Sequence, residues 1–269
     1  MGGLVLRYYL RYGTAKIPED GSLPELTWAG AQNVRKAILV GTPNAGSGEA
    51  LEQLVEGLNL NPLFPNYRPA VLGTMPAVYQ LLPRTRHNAV IDIESGEPVN
   101  VFRVENWQRS GWGLAGAHAG GVLSWLLPDF ESPDERREIA VDHLAKSLAR
   151  AEQFHRAIDV PAAIPPGTEL SIFVGDSKPT IALLGVRPDG RLRVLERRPG
   201  DDTVTRASAL MDERVGLGYS AGLVSPIAWS RVQFVNADHL GLTRSPDFVN
   251  NLLYMLLEEP NDDFVSEAN

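Results

Sequence analysis

Short apolar runs bounded by turn residues set what this chain can fold into. Ala37-Ile38-Leu39-Val40 is flanked by Lys36 and by Gly41-Thr42-Pro43. A run of four apolar residues feeding a turn is the pattern of a buried parallel strand. Val232 to Val235 is a second run of the buried type. Helical patterns stand between the strand-like runs, which points to an α/β chain with parallel strands.

The helical patterns begin at once. Leu4, Val5, Tyr8, Tyr9 and Tyr12 follow Met1-Gly2-Gly3 at helical spacing, and Gly13 ends the pattern. Leu51 to Leu58 reads as a second helix, and Leu60 to Pro83 is rich in proline and apolar residues. Val99 to Val104 is expected to be a strand. Ser132-Pro133-Asp134-Glu135 supplies a hydroxyl cap, a proline at the first helical position and an acid placed for a capping box. Leu144, Leu148, Ala151, Phe154 and Ile158 then share one helical face. Leu170 to Val174 reads as a strand. Ile181 to Val186 and Leu192 to Leu195 flank Arg187-Pro188-Asp189-Gly190 as a hairpin. Phe248 to Leu257 forms a last apolar helix, and the acidic tail from Glu258 to Asn269 is expected to fray.

Composition narrows the function classes. The chain has 269 residues, enough for one large domain with a sizeable core. A net charge of -8 argues against a nucleic-acid partner. The absence of cysteine excludes disulfides, thiolate metal sites and thiol nucleophiles. No apolar run reaches the roughly 20 residues of a membrane span. No signal segment is recognised, so the expected compartment is cytoplasmic.

Two distant turns carry candidate chemistry. Asp201 lies in Gly200-Asp201-Asp202-Thr203-Val204, after the second hairpin strand. A carboxylate there can hold a histidine tautomer and steady an imidazolium, although the same pentapeptide also reads as a plain solvated turn. His239, in Asp238-His239-Leu240, follows the Val232 to Val235 strand, where α/β folds place their sites. His87 and His118 lack such a context, and His143 and His155 are expected at a helix surface or boundary. No histidine pair has the spacing of a zinc helix, so no metal and no cofactor are expected.

A chain order of acid then base implies a nucleophile ahead of both, on an elbow written G-x-S-x-G. The one literal match is Gly218-Tyr219-Ser220-Ala221-Gly222, but no apolar strand precedes it and no helix follows. Ser47 follows a strand without the elbow pattern. Ile38 to Gly48 has the glycines of a phosphate loop but lacks its lysine. Met1-Gly2 fits the last two letters of the elbow, so the chain reads as beginning just after its own nucleophile.

Six segments, taken in order, resemble the lecithin:cholesterol acyltransferase family of α/β-hydrolases. They are Met1 to Tyr9, Ile38 to Ser47, Met75 to Pro83, Trp107 to Leu114, Gly200 to Val204, and Asp238 to Leu240. The resemblance implies an α/β-hydrolase fold in which the later parallel strands are present and the N-terminal strands are missing. It implies a core fragment over residues 1–94, a helical cap or lid over 95–165, and a C-terminal core with the acid and histidine loops over 166–269. Trp107, Trp112 and Trp125 either line a lid or fill a plain core.

Carried over, Asp201 is the acid, His239 the base and Met1 an oxyanion residue, with Asp176 as fallback acid. The implied activity is lipid acyl-ester hydrolysis or O-acyl transfer through a Ser-Asp-His triad. This chain, without the serine, is expected to be inactive alone. The implied partners are an acyl lipid or ester, with peripheral lipid contact. An unpaired edge at Ala37 to Val40 is expected to favour self-association. The alternatives are a non-catalytic binding module on a degenerate hydrolase scaffold and an esterase that uses Ser220.

Overall fold

The computed structural model describes residues 1–59, 66–214 and 222–258. Ser220 and the acidic tail beyond Glu258 lie outside the described residues.

The apolar runs become strands, and the amphipathic segments become helices between them. The chain runs α1 (Gly2–Tyr12), β1 (Lys36–Val40), α2 (Gly48–Glu56), α3 (Pro69–Leu72), α4 (Pro76–Tyr79) and β2 (Val90–Asp92). It continues through α5 (Val104–Ser110), α6 (Gly120–Leu126), α7 (Pro133–Ile158), β3 (Glu169–Gly175), β4 (Lys178–Val186) and β5 (Leu192–Gly200). It closes with α8 (Arg206–Leu210), β6 (Arg231–Val235) and α9 (Pro246–Leu253). The molecule is mixed α/β.

Two three-stranded sheets form. The first has the order β1-β3-β6 and is parallel throughout, with Leu39 opposite Ile172 and Ile172 opposite Val232. Its two faces are covered separately. Leu10 of α1, with Ala209 and Leu210 of α8, packs with Leu39, Leu170, Ile172 and Val174. Phe248 of α9 and Met255 pack with Phe173 and Val235. Burial on both faces fits the apolar run of β3, whereas Val232 to Val235 is not a buried run: Phe234 is 50% exposed at the sheet edge. The second sheet has the order β2-β4-β5, with β2 parallel to β4 and β4 antiparallel to β5 across the expected hairpin.

Helix α7 is set by its sequence at the start and by packing along its length. The Ser132 hydroxyl accepts the Glu135 N–H at 3.4 Å, and Pro133 occupies the first turn. Leu144, Leu148, Ala151, Phe154 and Ile158 are all buried. Phe154 and Ile158 meet Leu4 of α1, which ties the long helix to the start of the chain.

One apolar cluster joins Leu51 and Leu54 of α2, Trp107, Trp112, Leu144 and Leu148 with Ile181, Leu184 and Val186 of β4. The 95–165 segment thus shares its core with both flanking segments. Trp107 and Trp112 are fully buried and meet edge to face with ring centroids 5.6 Å apart. Trp125 is 74% exposed.

Val99 to Val104 does not form a strand. The Val99 N–H reaches the Val90 carbonyl, and then the Asn100 side chain accepts the Phe102 N–H at 2.9 Å. This asparagine turn bends the backbone, and Val104 opens α5 instead. His155 also departs from expectation. It is 3% exposed because α7 is buried on this side between the α4 region and Phe102.

Candidate functional site

The parallel sheet brings distant loops together at the carboxyl ends of its strands, the position where open α/β sheets bind ligands. Gly41 follows β1, and the turn after β6 carries His239. Asp201 arrives from the second sheet, directly after β5.

Asp201 is 1% exposed and its carboxylate is fully engaged. Oδ1 accepts the Val204 N–H at 2.7 Å and the Thr203 N–H at 3.1 Å. Oδ2 meets Nδ1 of His239 at 2.8 Å. An ionised carboxylate only accepts hydrogen bonds, so Nδ1 carries the proton and Nε2 is left with its lone pair. The His239 side chain is 32% exposed, and among the described residues Nε2 has no hydrogen-bond partner. The bond to Asp201 raises the imidazole pKa above its ordinary value, while partial burial opposes the rise.

A close approach makes this pair possible. Gly41 has φ +54°, and a β-carbon there would lie 3.1 Å from both Asp201 Oδ2 and His239 Cε1. The same β-carbon would also lie 2.7 Å from Leu242 Cδ1. Only glycine fits both the left-handed conformation and the space.

The neighbouring acids point elsewhere. Asp202 has φ +75°, and its N–H donates to the Thr180 hydroxyl at 2.9 Å. Asp176 faces Arg206 at 3.9 Å and makes no hydrogen bond to His239. Of the three acids, the geometry couples Asp201 to the imidazole. Thr180 was not singled out from sequence. Thr180 is fully buried, and a strand threonine gives no sign in sequence that it will hold a turn 22 residues away.

Met1 stands at the head of α1. Its carbonyl accepts the Leu4 and Val5 N–H groups. Burial lowers the pKa of its amino group, and that charge in turn opposes protonation of His239. The first turn of α1 lies directly on the loop after β1: a β-carbon at Gly3 would sit 2.0 Å from the Thr42 hydroxyl.

Ser47 serves the scaffold. It is 6% exposed, accepts the Ala50 N–H as the cap of α2, and donates to the Thr203 carbonyl at 2.6 Å. It thereby props the turn that holds Asp201. Among the described residues, no group of three or more His, Asp or Glu side chains is placed to hold a metal ion. No described helix is long and apolar enough to cross a membrane.

Compared with known proteins, the chain matches no family model and no curated protein.

Proposed function

We propose that this chain carries the acid and base of a Ser-Asp-His acyl-transfer site on an α/β-hydrolase scaffold of the lecithin:cholesterol acyltransferase kind. The observation that carries the reading is the 2.8 Å bond between His239 Nδ1 and buried Asp201 Oδ2, with Nε2 left open. A carboxylate that fixes the tautomer and steadies the imidazolium is the established role of a triad acid.

The chemistry follows from that arrangement. Nε2 takes the proton of a serine hydroxyl as the oxygen bonds to an ester carbonyl carbon. The imidazolium, held by Asp201, then gives that proton to the departing alkoxide, which leaves as an alcohol. Water or a second alcohol, deprotonated by the same nitrogen, releases the acyl group and regenerates the serine. The serine is proposed to be joined ahead of Met1, since the first turn of α1 lies directly on the loop after β1, next to Gly41. With that peptide bond formed, the Met1 N–H is the residue-after-nucleophile donor to the oxyanion. The lipid ester substrate rests on the motif resemblance, as does the choice between hydrolysis and transfer.

The test is a chain extended by Gly-x-Ser ahead of Met1, treated with a fluorophosphonate probe. Labelling of that serine, lost in His239→Ala, supports the proposal. A folded extended chain that stays unlabelled, or labelling at Ser220 instead, overturns it.

A further inference from the structure

Away from the Asp201–His239 pair, the C-terminal end of α7 borders a cleft of about 400 Å³ lined by Arg84, Arg86, His155 and Arg156, with Glu152 and Asp159. Three of its side chains carry buried polar atoms with no hydrogen-bond partner among the described residues: Arg84, His155 and Asp159, through its Oδ1. Arg84 is 3% exposed and gives Nε to Asp159 Oδ2 at 2.9 Å. Among the described residues its Nη1 and Nη2 have no hydrogen-bond partner. Those two nitrogens form the end of the guanidinium fork that grips an oxyanion with parallel hydrogen bonds.

His155 is also 3% exposed. Its Nε2 meets the Gln80 carbonyl at 2.8 Å, and a carbonyl only accepts, so Nε2 carries the proton. Burial and the Arg84 charge hold the ring neutral. Nδ1 is therefore a bare lone pair, and among the described residues it too has no hydrogen-bond partner.

The charge balance points the same way. Asp159 Oδ2 is shared between Arg84 at 2.9 Å and Arg86 at 3.0 Å, and Oδ1 lies 3.6 Å from Arg7, itself 3% exposed. Arg86 also holds Glu213 at 2.8 Å. Arg156 stands at the rim, giving Nη2 to the Gly21 carbonyl at 3.1 Å. Four guanidiniums (Arg7, Arg84, Arg86, Arg156) thus gather around three carboxylates (Glu152, Asp159, Glu213). One positive charge remains in excess, in a chain whose net charge is -8.

We infer that this cleft binds a protonated phosphate group, either the hydrogenphosphate ion or a phosphate monoester. Anionic oxygens take the free Arg84 fork, and a P–OH donates to His155 Nδ1. A plain carboxylate or sulfate satisfies the arginine but offers no proton to the histidine. The site lies outside the proposed acyl-transfer machinery and does not depend on that reading.

The test is calorimetric titration of the whole chain with inorganic phosphate near pH 6.5, with sulfate at matched ionic strength as control. Saturable phosphate binding, tighter than sulfate by about tenfold or more, is expected, since the sulfate complex leaves the buried acceptor unpaired. Arg84→Lys keeps the charge against Asp159 but removes the fork, and it should weaken phosphate at least about tenfold. If that variant does not fold, Arg156→Gln at the exposed rim provides the same comparison with a smaller loss. Sedimentation with phosphatidylcholine vesicles that contain phosphatidic acid, and not with pure phosphatidylcholine, would assign the phosphate to a lipid headgroup. Binding of free phosphate without such sedimentation would assign it to a soluble ligand. Absence of saturable binding in both arms, or binding unchanged in Arg84→Lys and Arg156→Gln, overturns the inference.

Discussion

Asp201 and His239 are joined twice: the His239 backbone N–H donates to the Asp201 carbonyl at 2.8 Å, and Nδ1 meets Oδ2 at the same distance. The two loops come from different sheets, so this double link also fixes how the sheets' turns meet. The backbone bond sets the position of the imidazole, and the side-chain bond sets its tautomer. Neither residue can shift without straining the other contact.

Replacing the acid separates these two effects. In Asp201→Asn the backbone bond remains possible while the charge is gone. The imidazole pKa, raised by Asp201 in the native chain, should fall toward its ordinary 6.5 or below. Because the folded pKa is raised, the histidine contributes stability that is fully present below the unfolded value and lost as pH rises through the folded one. The stability gap between native and variant should therefore be larger at pH 6 than at pH 9. NMR titration of the imidazole together with denaturant melts reads both effects. An unchanged midpoint would remove Asp201 as the cause.

Gly41 gives a test from the other side of the pair. Alanine at φ +54° carries a backbone cost of about 1–2 kcal/mol, before its β-carbon meets Asp201 and His239. Gly41→Ala should lower the melting temperature and also move the His239 midpoint. A variant that melts lower but titrates like the native chain would show that the pair tolerates the intrusion.

The readable parts of this molecule were those with local causes. The start of α7 is written in Ser132 and Pro133, whose effects reach a single turn. Strands β1 and β3 are written in apolar runs, whereas β6 is an edge strand whose Phe234 is half exposed. His239 is marked by its place after a strand, but the Gly200 to Val204 turn alone also reads as a solvated turn, and Asp201 is singled out through the family resemblance; only the folded chain shows which of Asp176, Asp201 and Asp202 reaches the ring. Val99 to Val104 misled because strand propensity there yields to one asparagine side chain. The Arg7, Arg84 and Asp159 cluster left no trace in sequence. Its members are 75 residues or more apart, and no local spacing encodes them.

Burial of His155 makes the fold sensitive to acid. Its pKa is held well below 6.5 by burial and by Arg84, with Arg86 adding to this while the Gln80 carbonyl and Asp159 oppose it. A depressed histidine contributes stability above its unfolded pKa and loses it as pH falls toward the folded one. Between those limits the loss approaches about 1.4 kcal/mol per pH unit. His155→Gln keeps a donor for Gln80 and cannot charge, so its stability should decline less between pH 6.5 and 5. Parallel declines in urea melts of the two proteins would assign the acid sensitivity elsewhere.

The free side of β1 sets the last expectation. Among the described residues β1 has one strand neighbour, β3, and the Gly41 N–H to Phe173 carbonyl bond marks the side that faces it. In a parallel ladder, alternate residues of a strand bond to the same neighbour, so the Ile38 N–H points to the other side. Ile38 itself is only partly buried. An unpaired apolar edge is a template for another strand. The chain should therefore associate as concentration rises, by light scattering. Ile38→Pro removes the outward donor without touching the β3 ladder, a placement that edge strands tolerate. It should shift the chain toward monomer, and association that persists unchanged in this variant would show that a different surface is responsible.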